Sequence, residues 1–249
     1  LLYDAGADML VYGMGERAML EIAALLARGV PVRKLTSIRG TCVRVPDEVG
    51  LDDAVRLPSF MAVSSDKRAY AEAFLTEMRE MDALRGKRLL QAHEKGFLLC
   101  NPPAAPLEEA ELDALYALPF TGEAVDGAKI PALEEVRFSI TSSRGCFGGC
   151  SFCALAFHQG RAVRPRSHAS ILAEAKRLAA RPDFKGNIHD VGGPTANFRQ
   201  PACRKQLTKG VCADRQCVGW KACANLEVDE DDYAALLKKL RMLPGVKKV

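Results

Sequence analysis

Cys146, Cys150 and Cys153 lie in one short stretch, "RGCFGGCSFCAL", running from Arg144 to Leu155. Their spacing is Cys-x3-Cys-x2-Cys. Thiolates packed this tightly on a loop are the ligands of iron–sulfur clusters, and thiolates also hold zinc. Structural zinc closes its tetrahedron with four protein ligands, usually from paired C-x2-C knuckles or from cysteine with histidine. Only three thiols are local here. Gly145, Gly148 and Gly149 let the backbone fold around a bulky cluster, where β-carbons would crowd it. N–H groups on such a loop can also point at sulfide and offset its charge. Phe152, between the last two cysteines, supplies an apolar wall. A cubane held by three thiolates leaves one iron without a protein ligand and open to a substrate. The competing reading is a zinc knuckle completed by His158 or by a distant cysteine.

A second set, Cys203, Cys212, Cys217 and Cys223, is spaced Cys-x8-Cys-x4-Cys-x5-Cys. Four thiols in so short a stretch suit a closed site, either structural zinc or an auxiliary iron–sulfur cluster. A long insert without its own core needs such a staple. The insert covers about 199–225, and Trp220 would shield the site. Cys42 and Cys100 stand alone in the sequence and read as small buried apolar residues.

The elements around these loops follow from periodicity. "EVRFSITSS", with alternating Val136, Phe138 and Ile140, predicts a strand whose C-terminal end delivers the three-cysteine loop. "SHASILAEAKRLAARP" predicts a helix capped near Ser167, with Ile171, Leu172, Ala175 and Leu178 turned inward. "GNIHDVGGP" predicts a second strand ending in Gly192 and Gly193. "DEDDYAALLKKLRML" starts acidic and ends basic, matching the helix dipole at both ends, and "VKKV" would be a third strand. Strand, helix, strand, helix, strand implies parallel βαβ units, with chemistry at the C-terminal strand ends. The cysteine loop and the glycine pair should therefore open onto one face.

Upstream, "ADMLVYG" predicts a buried strand, and "GERAMLEIAALLARG" a helix with Met19, Ile22, Ala23 and Leu26 at helical spacing and Gly29 as its stop. One long helix is expected from about Asp66 to His93, capped by Ser65, with Gly86 as a weak point. "FLLC" predicts a strand, and 108–118 a short helix. "TGEAVDGAKIP" is a polar linker, so the expected division is 1–125 and 126–249.

The totals set bounds. The chain has 249 residues, 48% hydrophobic and 27% charged, as in an ordinary globular protein of one or two domains. No apolar run approaches the ~20 residues of a membrane span. Nine cysteines without secretory features point to a reducing, cytoplasmic setting, and the odd count does not suit a complete disulfide framework. A net charge of +4 is too mild to imply nucleic-acid binding by itself. The basic residues do cluster: Arg161, Arg164 and Arg166 after the first cysteine loop, then Arg199, Arg204, Lys205, Lys209, Arg215 and Lys221 around the insert. They form either a solvated surface or a reception site for an anionic substrate. Without an initiator Met, and with "VKKV" starting a strand, the chain is expected to be an internal piece of a longer protein.

At Cys146, Cys150, Phe152 and Cys153 the chain resembles the radical SAM superfamily, whose signature is Cys-x3-Cys-x-aromatic-Cys after the first barrel strand. It is closer still to the YgiQ-type radical SAM family, through "RFSITSSRGCFGGCSFCALAFHQGRAV", "SHASILAEAKRLA", "DFKGNIHDVGGPTANF", "CNPPAAPL" and "DALYALPF". The resemblance implies an α/β chain. The end of an N-terminal Rossmann-like or flavodoxin-like (cobalamin-binding-like) domain would precede the first βα units of a partial TIM-like radical SAM barrel. It implies that Cys146, Cys150 and Cys153 hold a 4Fe–4S cluster whose fourth iron is chelated by S-adenosylmethionine. Reductive cleavage would then give a 5′-deoxyadenosyl radical that takes hydrogen from a substrate. Phe152, Gly192 and Gly193 would contact the S-adenosylmethionine, with Pro194 standing where the superfamily often has an acid. His158 and His189 are candidates for a proton or hydrogen-bond role. An electron donor such as flavodoxin or ferredoxin is implied. The alternative is a zinc- or iron–sulfur-stabilised nucleic-acid-binding module without radical catalysis. A radical enzyme acting on RNA is a third reading.

Overall fold

A computed structural model of the chain describes residues 1–193 and 198–249. Its described elements are mixed α and β, with open sheets. Two compact units divide it. The first comprises Leu1–Pro106, Phe152–Arg161 and Lys205–Gln216; the second comprises Leu107–Ser151, Ala162–Arg204 and Cys217–Val249. The first boundary falls after Pro106, ahead of the polar linker at which the sequence suggests a division.

The first unit opens with α1 (Leu2–Ala5), β1 (Met9–Val11) and α2 (Glu16–Ala27). It continues with β2 (Thr41–Val45), β3 (Val55–Arg56), α3 (Phe60–Ser65), α4 (Lys67–Glu80), β4 (Leu89–His93) and β5 (Gly96–Cys100). The strands form one sheet in the order β1-β2-β5-β4-β3. Only β3 and β4 pair in parallel; β1–β2, β2–β5 and β4–β5 are antiparallel. The described sheet is therefore not the parallel layer that strand, glycine turn and helix suggest. After α2 the chain turns back through the left-handed Gly29 (φ 79°), and β2 returns directly beside β1. Apolar residues on one sheet face, Val43, Leu90 and Leu99, bury with Leu51. On α2 the buried residues are Ala18 and Ile22, while Met19, Ala23 and Leu26 are exposed.

The expected long helix stops at Glu80. Asp66, not Ser65, caps α4, accepting from Arg68 N at 2.8 Å. Beyond Glu80, buried Asp82 accepts from Leu84 N (3.0 Å) and Arg85 N (2.7 Å), and that turn leads into β4. Gly86 is fixed there because a β-carbon would collide with the Glu80 and Asp82 carbonyls. A short carboxylate that captures backbone N–H groups two and three residues on competes directly with the helix. The segment 89–93 accordingly pairs as strand.

The second unit holds α5 (Glu109–Tyr116), α6 (Pro131–Val136), β6 (Ser139–Thr141) and β7 (Ser143–Arg144). Helix α7 (Leu155–Gln159) belongs to the first unit. The second unit resumes with β8 (Arg164–Pro165), α8 (His168–Ala179) and β9 (Asp190–Gly192). After α9 (Lys205–Lys209), again in the first unit, it ends with α10 (Asp231–Arg241). The predicted strand at 135–143 is shorter than its alternation suggests: Val136 closes α6 and is exposed, and pairing starts at Ser139.

Strands β6 and β9 are parallel neighbours in the register Ser139↔Asp190, Ile140↔Val191 and Thr141↔Gly192. Helix α8 lies between them in sequence. Ser167 caps it, accepting from Ser170 N at 3.1 Å. Ile171 and Ala175 on α8, Leu236 and Leu240 on α10, and Ile140, Ile188 and Val191 form one buried cluster. Each fully buried Ile or Leu contributes about 1.5–3 kcal/mol relative to exposure. The terminal "VKKV" runs parallel beside the approach to β9, with a bridge between Asn187 and Lys248. Among the described residues no helix is long and apolar enough to cross a membrane.

Candidate functional site

In the second unit the parallel pairing of Thr141 with Gly192 puts the ends of β6 and β9 at the same edge of their sheet. The cysteine loop leaves from the first and the glycine pair from the second. Ser142 N donates to Gly192 O at 2.8 Å, so the ladder continues one step past the strands. Gly192 is buried and Gly193 half-buried. Pro194 lies outside the described residues.

The descent into the loop is fixed by close packing. Strand β7 pairs antiparallel with β8. Gly145 has φ 87°, a left-handed conformation, and a β-carbon there would lie 2.5 Å from Ala162 O, so the position requires glycine. Cys146 and Phe147 are buried, and Phe147 stacks on Phe198 with centroids 3.9 Å apart. Gly148 N donates to Cys146 Sγ at 3.4 Å. A β-carbon on Gly148 would stand 3.3 Å from Cys146 Sγ and 3.7 Å from Cys150 Sγ. Glycine thus keeps open the space flanked by these two sulfurs. Cys150 itself is exposed.

The remainder of the loop belongs to the first unit. Phe152 is 90% exposed, so it walls nothing within its own unit, and Cys153 is half-buried. Phe157 on α7 packs against Phe74, with centroids 5.7 Å apart. His158 on α7 is exposed. Gly13 has φ 70°, a left-handed conformation that favours glycine, and a β-carbon there would also lie 3.3 Å from the His158 carbonyl. His189 precedes β9 in the second unit, is exposed, and has Nδ1 2.9 Å from Glu135 O. Its ring meets Phe138 edge-on.

Among the described residues no three His, Cys, Asp or Glu side chains converge as a metal-holding group. The donor chemistry nonetheless suits an iron–sulfur cluster. Two thiols border a glycine-held space, a backbone N–H points at one sulfur, and a third thiol follows within three residues. In the second set Cys217 is buried with Phe147, Val163 and Ala202, and Cys223 N donates to Cys217 O at 3.0 Å. Cys203 is half-buried and Cys212 exposed. Trp220 is fully exposed and shields neither cysteine of its turn.

Sequence reasoning missed the arginines that brace the loop. Arg166 is 1% exposed, with Nη1 donating to Thr141 O (2.8 Å) and Glu174 Oε2 (2.6 Å). Its guanidinium lies over the Tyr116 ring, 4.1 Å from the centroid. Arg199 is also buried, donating to Asp232 Oδ2 (2.7 Å), Ser142 O (2.9 Å) and Arg166 O (2.9 Å). Together they hold Thr141 and Ser142, through which β6 passes toward the cysteine loop. Planar forks with several donors are suited to such carbonyl capture. Arg164 pairs with Glu108 at 3.4 Å. In the first unit Arg161 donates to Cys212 O and Arg215 O at 2.8 and 2.7 Å, and Asp214 pairs with Arg79 at 3.1 Å. Arg161, Arg164, Arg166 and Arg199 are thus engaged with the chain's own carbonyls and carboxylates, whereas Arg204, Lys205, Lys209, Arg215 and Lys221 are exposed.

Asp232 carries the pH dependence of this brace. Burial pushes its carboxyl upward, but the hydrogen bond and charge of Arg199, with His168 alongside, hold it below the usual carboxylate range. The resulting stabilisation is complete above the unfolded-state value of about 3.9 and drains away as pH falls through the depressed folded value. Below about pH 4, then, the second unit should weaken. Asp232→Asn should lower stability at neutral pH and flatten that acid limb, as read by unfolding at graded pH. An unchanged limb would remove Asp232 from the account.

The family model described as Radical SAM N-terminal matches residues 1–139, so it ends just before the cysteine loop. A UPF0313 protein of Clostridium botulinum (strain Okra / Type B1) is 49% identical over 255 residues, covering 100% of this chain and 39% of the relative. One from Clostridium perfringens (strain ATCC 13124) is 50% identical over 256 residues, covering 100% of this chain and 38% of the relative. The chain thus spans about 39% of the length of the curated relatives it matches. The solved structure of the radical S-adenosylmethionine methyltransferase TsrM from Kitasatospora setae, with tryptophan substrate and a SAM analog bound, covers 99% of this chain and 46% of its own. Its TM-score is 0.39 at 15% identity. With the Radical SAM N-terminal model matched across more than half its residues, the chain belongs to that family and, through it, to the radical SAM superfamily.

Proposed function

We propose that this chain carries the cofactor-binding part of a radical SAM enzyme, with Cys146, Cys150 and Cys153 as the ligands of a 4Fe–4S cluster. The observation that carries the reading is the glycine-held space between Cys146 and Cys150 at the mouth of β6. Such a cluster, when bound, supplies the electron for reductive cleavage of S-adenosylmethionine and hence for hydrogen abstraction from a substrate. The chain's own residues do the positioning. Arg166 and Arg199 fix the carbonyls of Thr141 and Ser142, and Gly145 lets the backbone turn tightly against Ala162. Gly192 and Gly193, at the same strand edge, offer backbone groups to the amino-acid end of S-adenosylmethionine. Phe152, exposed on its own unit, is free to lie against that cofactor. Cys203, Cys212, Cys217 and Cys223 form a second metal site, taking either zinc or an auxiliary cluster. A small electron-transfer protein such as flavodoxin or ferredoxin is the reductant.

Metal analysis tests this. Full-length protein purified without oxygen should contain iron and acid-labile sulfide in matched amounts. Zinc alone, with no labile sulfide, would refute the proposal and favour a structural metal site.

A further inference from the structure

Cys42 and Cys100 are far apart in sequence, but they are direct cross-strand partners on β2 and β5. Their sulfurs are 2.8 Å apart, with the Cys42 thiol donating to Cys100 Sγ. The hydrogen-bond parity of the sheet determines what this pair can do. Tyr12 N donates to Gly40 O, so every second residue of β2 from Gly40 turns its peptide groups toward β1; Cys42 is one of these. Asn101 N donates to Thr41 O, so Thr41 and Asn101 form a hydrogen-bonded pair between β2 and β5. Cys42 and Cys100 are therefore a non-hydrogen-bonded pair, the closer type, with α-carbons about 4.5 Å apart. Disulfides accept α-carbon separations of roughly 4.4–6.8 Å, so the bond can form here without moving the strands.

We propose that Cys42 and Cys100 are a redox-reversible dithiol, converted to an intramolecular disulfide by exchange with a low-molecular-weight disulfide of the glutathione class. This is independent of the cluster site. One protein thiol, as its thiolate, attacks the sulfur–sulfur bond of the oxidant. A mixed disulfide forms and half of the oxidant leaves as a thiolate. The second protein thiolate then displaces the other half. The dithiol is oxidised by two electrons, the small disulfide is reduced to two thiols, and the two protons from the protein end on those products.

The surroundings fit such a pair. Both cysteines are half-buried. Cys42 also lines a cavity of about 480 Å³, alongside Leu10, Phe60 and His93, through which a small oxidant can reach sulfur. The hydrogen bond to Cys100 and then burial push the Cys42 thiol well above its ordinary range, so it rests protonated. Exchange proceeds through the thiolate and so quickens as pH rises. Strands β2 and β5 are inner strands of the five-stranded sheet, so the bond would tie its centre together.

Peptide mapping tests the proposal on the full-length protein. After anaerobic incubation with oxidised glutathione, the sample is quenched in acid, alkylated under denaturing conditions and cut with trypsin. Cleavage isolates Cys42 in Gly40–Arg44 and Cys100 in Gly96–Lys129. The expected result is one cross-linked species joining these two peptides, loss of alkylation at both cysteines together, and its return on treatment with dithiothreitol. Cys100→Ser should leave Cys42, the thiol that lines the cavity, holding a stable glutathione adduct. Wild-type protein with separate glutathione adducts, or with both thiols still alkylated, would overturn the proposal. So would an unmodified Cys42 in the Cys100→Ser variant.

Discussion

Replacing Cys150 with alanine should strip the full-length protein of its cluster iron and reduce 5′-deoxyadenosine formation from S-adenosylmethionine to the level without enzyme. Cys150 is the most informative of the three cysteines because it is exposed and belongs to none of the buried apolar clusters. Truncating it creates no cavity, and surface substitutions of that kind normally change stability by less than about 0.5 kcal/mol. The same change at Cys146, which is buried, would mix a packing cost with a ligand loss. A folded Cys150→Ala protein that has lost one cluster's share of iron and labile sulfide would therefore report ligation alone. A variant that retains wild-type iron and full cleavage of S-adenosylmethionine would refute the ligand assignment. Cys217→Ala provides the contrast. It removes a buried thiol from a different set, so if that set is independent the variant should keep the iron of the first loop.

Arg199→Ala should cost the second unit about 3–5 kcal/mol, the usual penalty for removing one partner of a buried ion pair. The guanidinium makes three separate hydrogen bonds, and its loss strands the Ser142 and Arg166 carbonyls in a buried setting. It also leaves the depressed Asp232 carboxylate without its main counter-charge. Against a total stability of about 5–15 kcal/mol for a domain, such a loss is large. Because Ser142 leads into the cysteine loop, amide exchange should accelerate first at 139–144 and 188–192. Arg199→Lys restores a charge without the fork and should recover only part of the protection. Exchange unchanged in Arg199→Ala would show that the brace is not what holds the loop.

Several features of the fold were legible because they are local. Ser167 capping α8, the inward Ile171 and Ala175, and the acidic start and basic end of α10 all follow from nearest-neighbour chemistry. So does the parallel partnership of β6 and β9, since a strand, a helix and a glycine-ended strand leave few alternatives. The illegible features depend on distant partners. Periodicity carried the Asp66 helix through to His93, but Asp82 and Gly86 form a tight turn, and its buried carboxylate is also held by Val211 N at 2.7 Å. Cys42 and Cys100 looked solitary until sheet register brought them face to face. Arg166 and Arg199 looked like surface charge because their partners are distant in sequence or on another element: Glu174 lies on α8 and Asp232 on α10. At the candidate site, the residue types and spacing were legible. The need for glycine at position 145 depends on Ala162 O, and the fit of glycine at 148 on two sulfurs, neither of which the sequence places beside them.

The central claim is that the open position beside three thiolates serves S-adenosylmethionine. The most direct measurement is product analysis of full-length protein, purified without oxygen, reduced with dithionite and supplied with S-adenosylmethionine. The account predicts 5′-deoxyadenosine and methionine in equal amounts, dependent on reductant. Iron-loaded, reduced protein that leaves S-adenosylmethionine intact would contradict it.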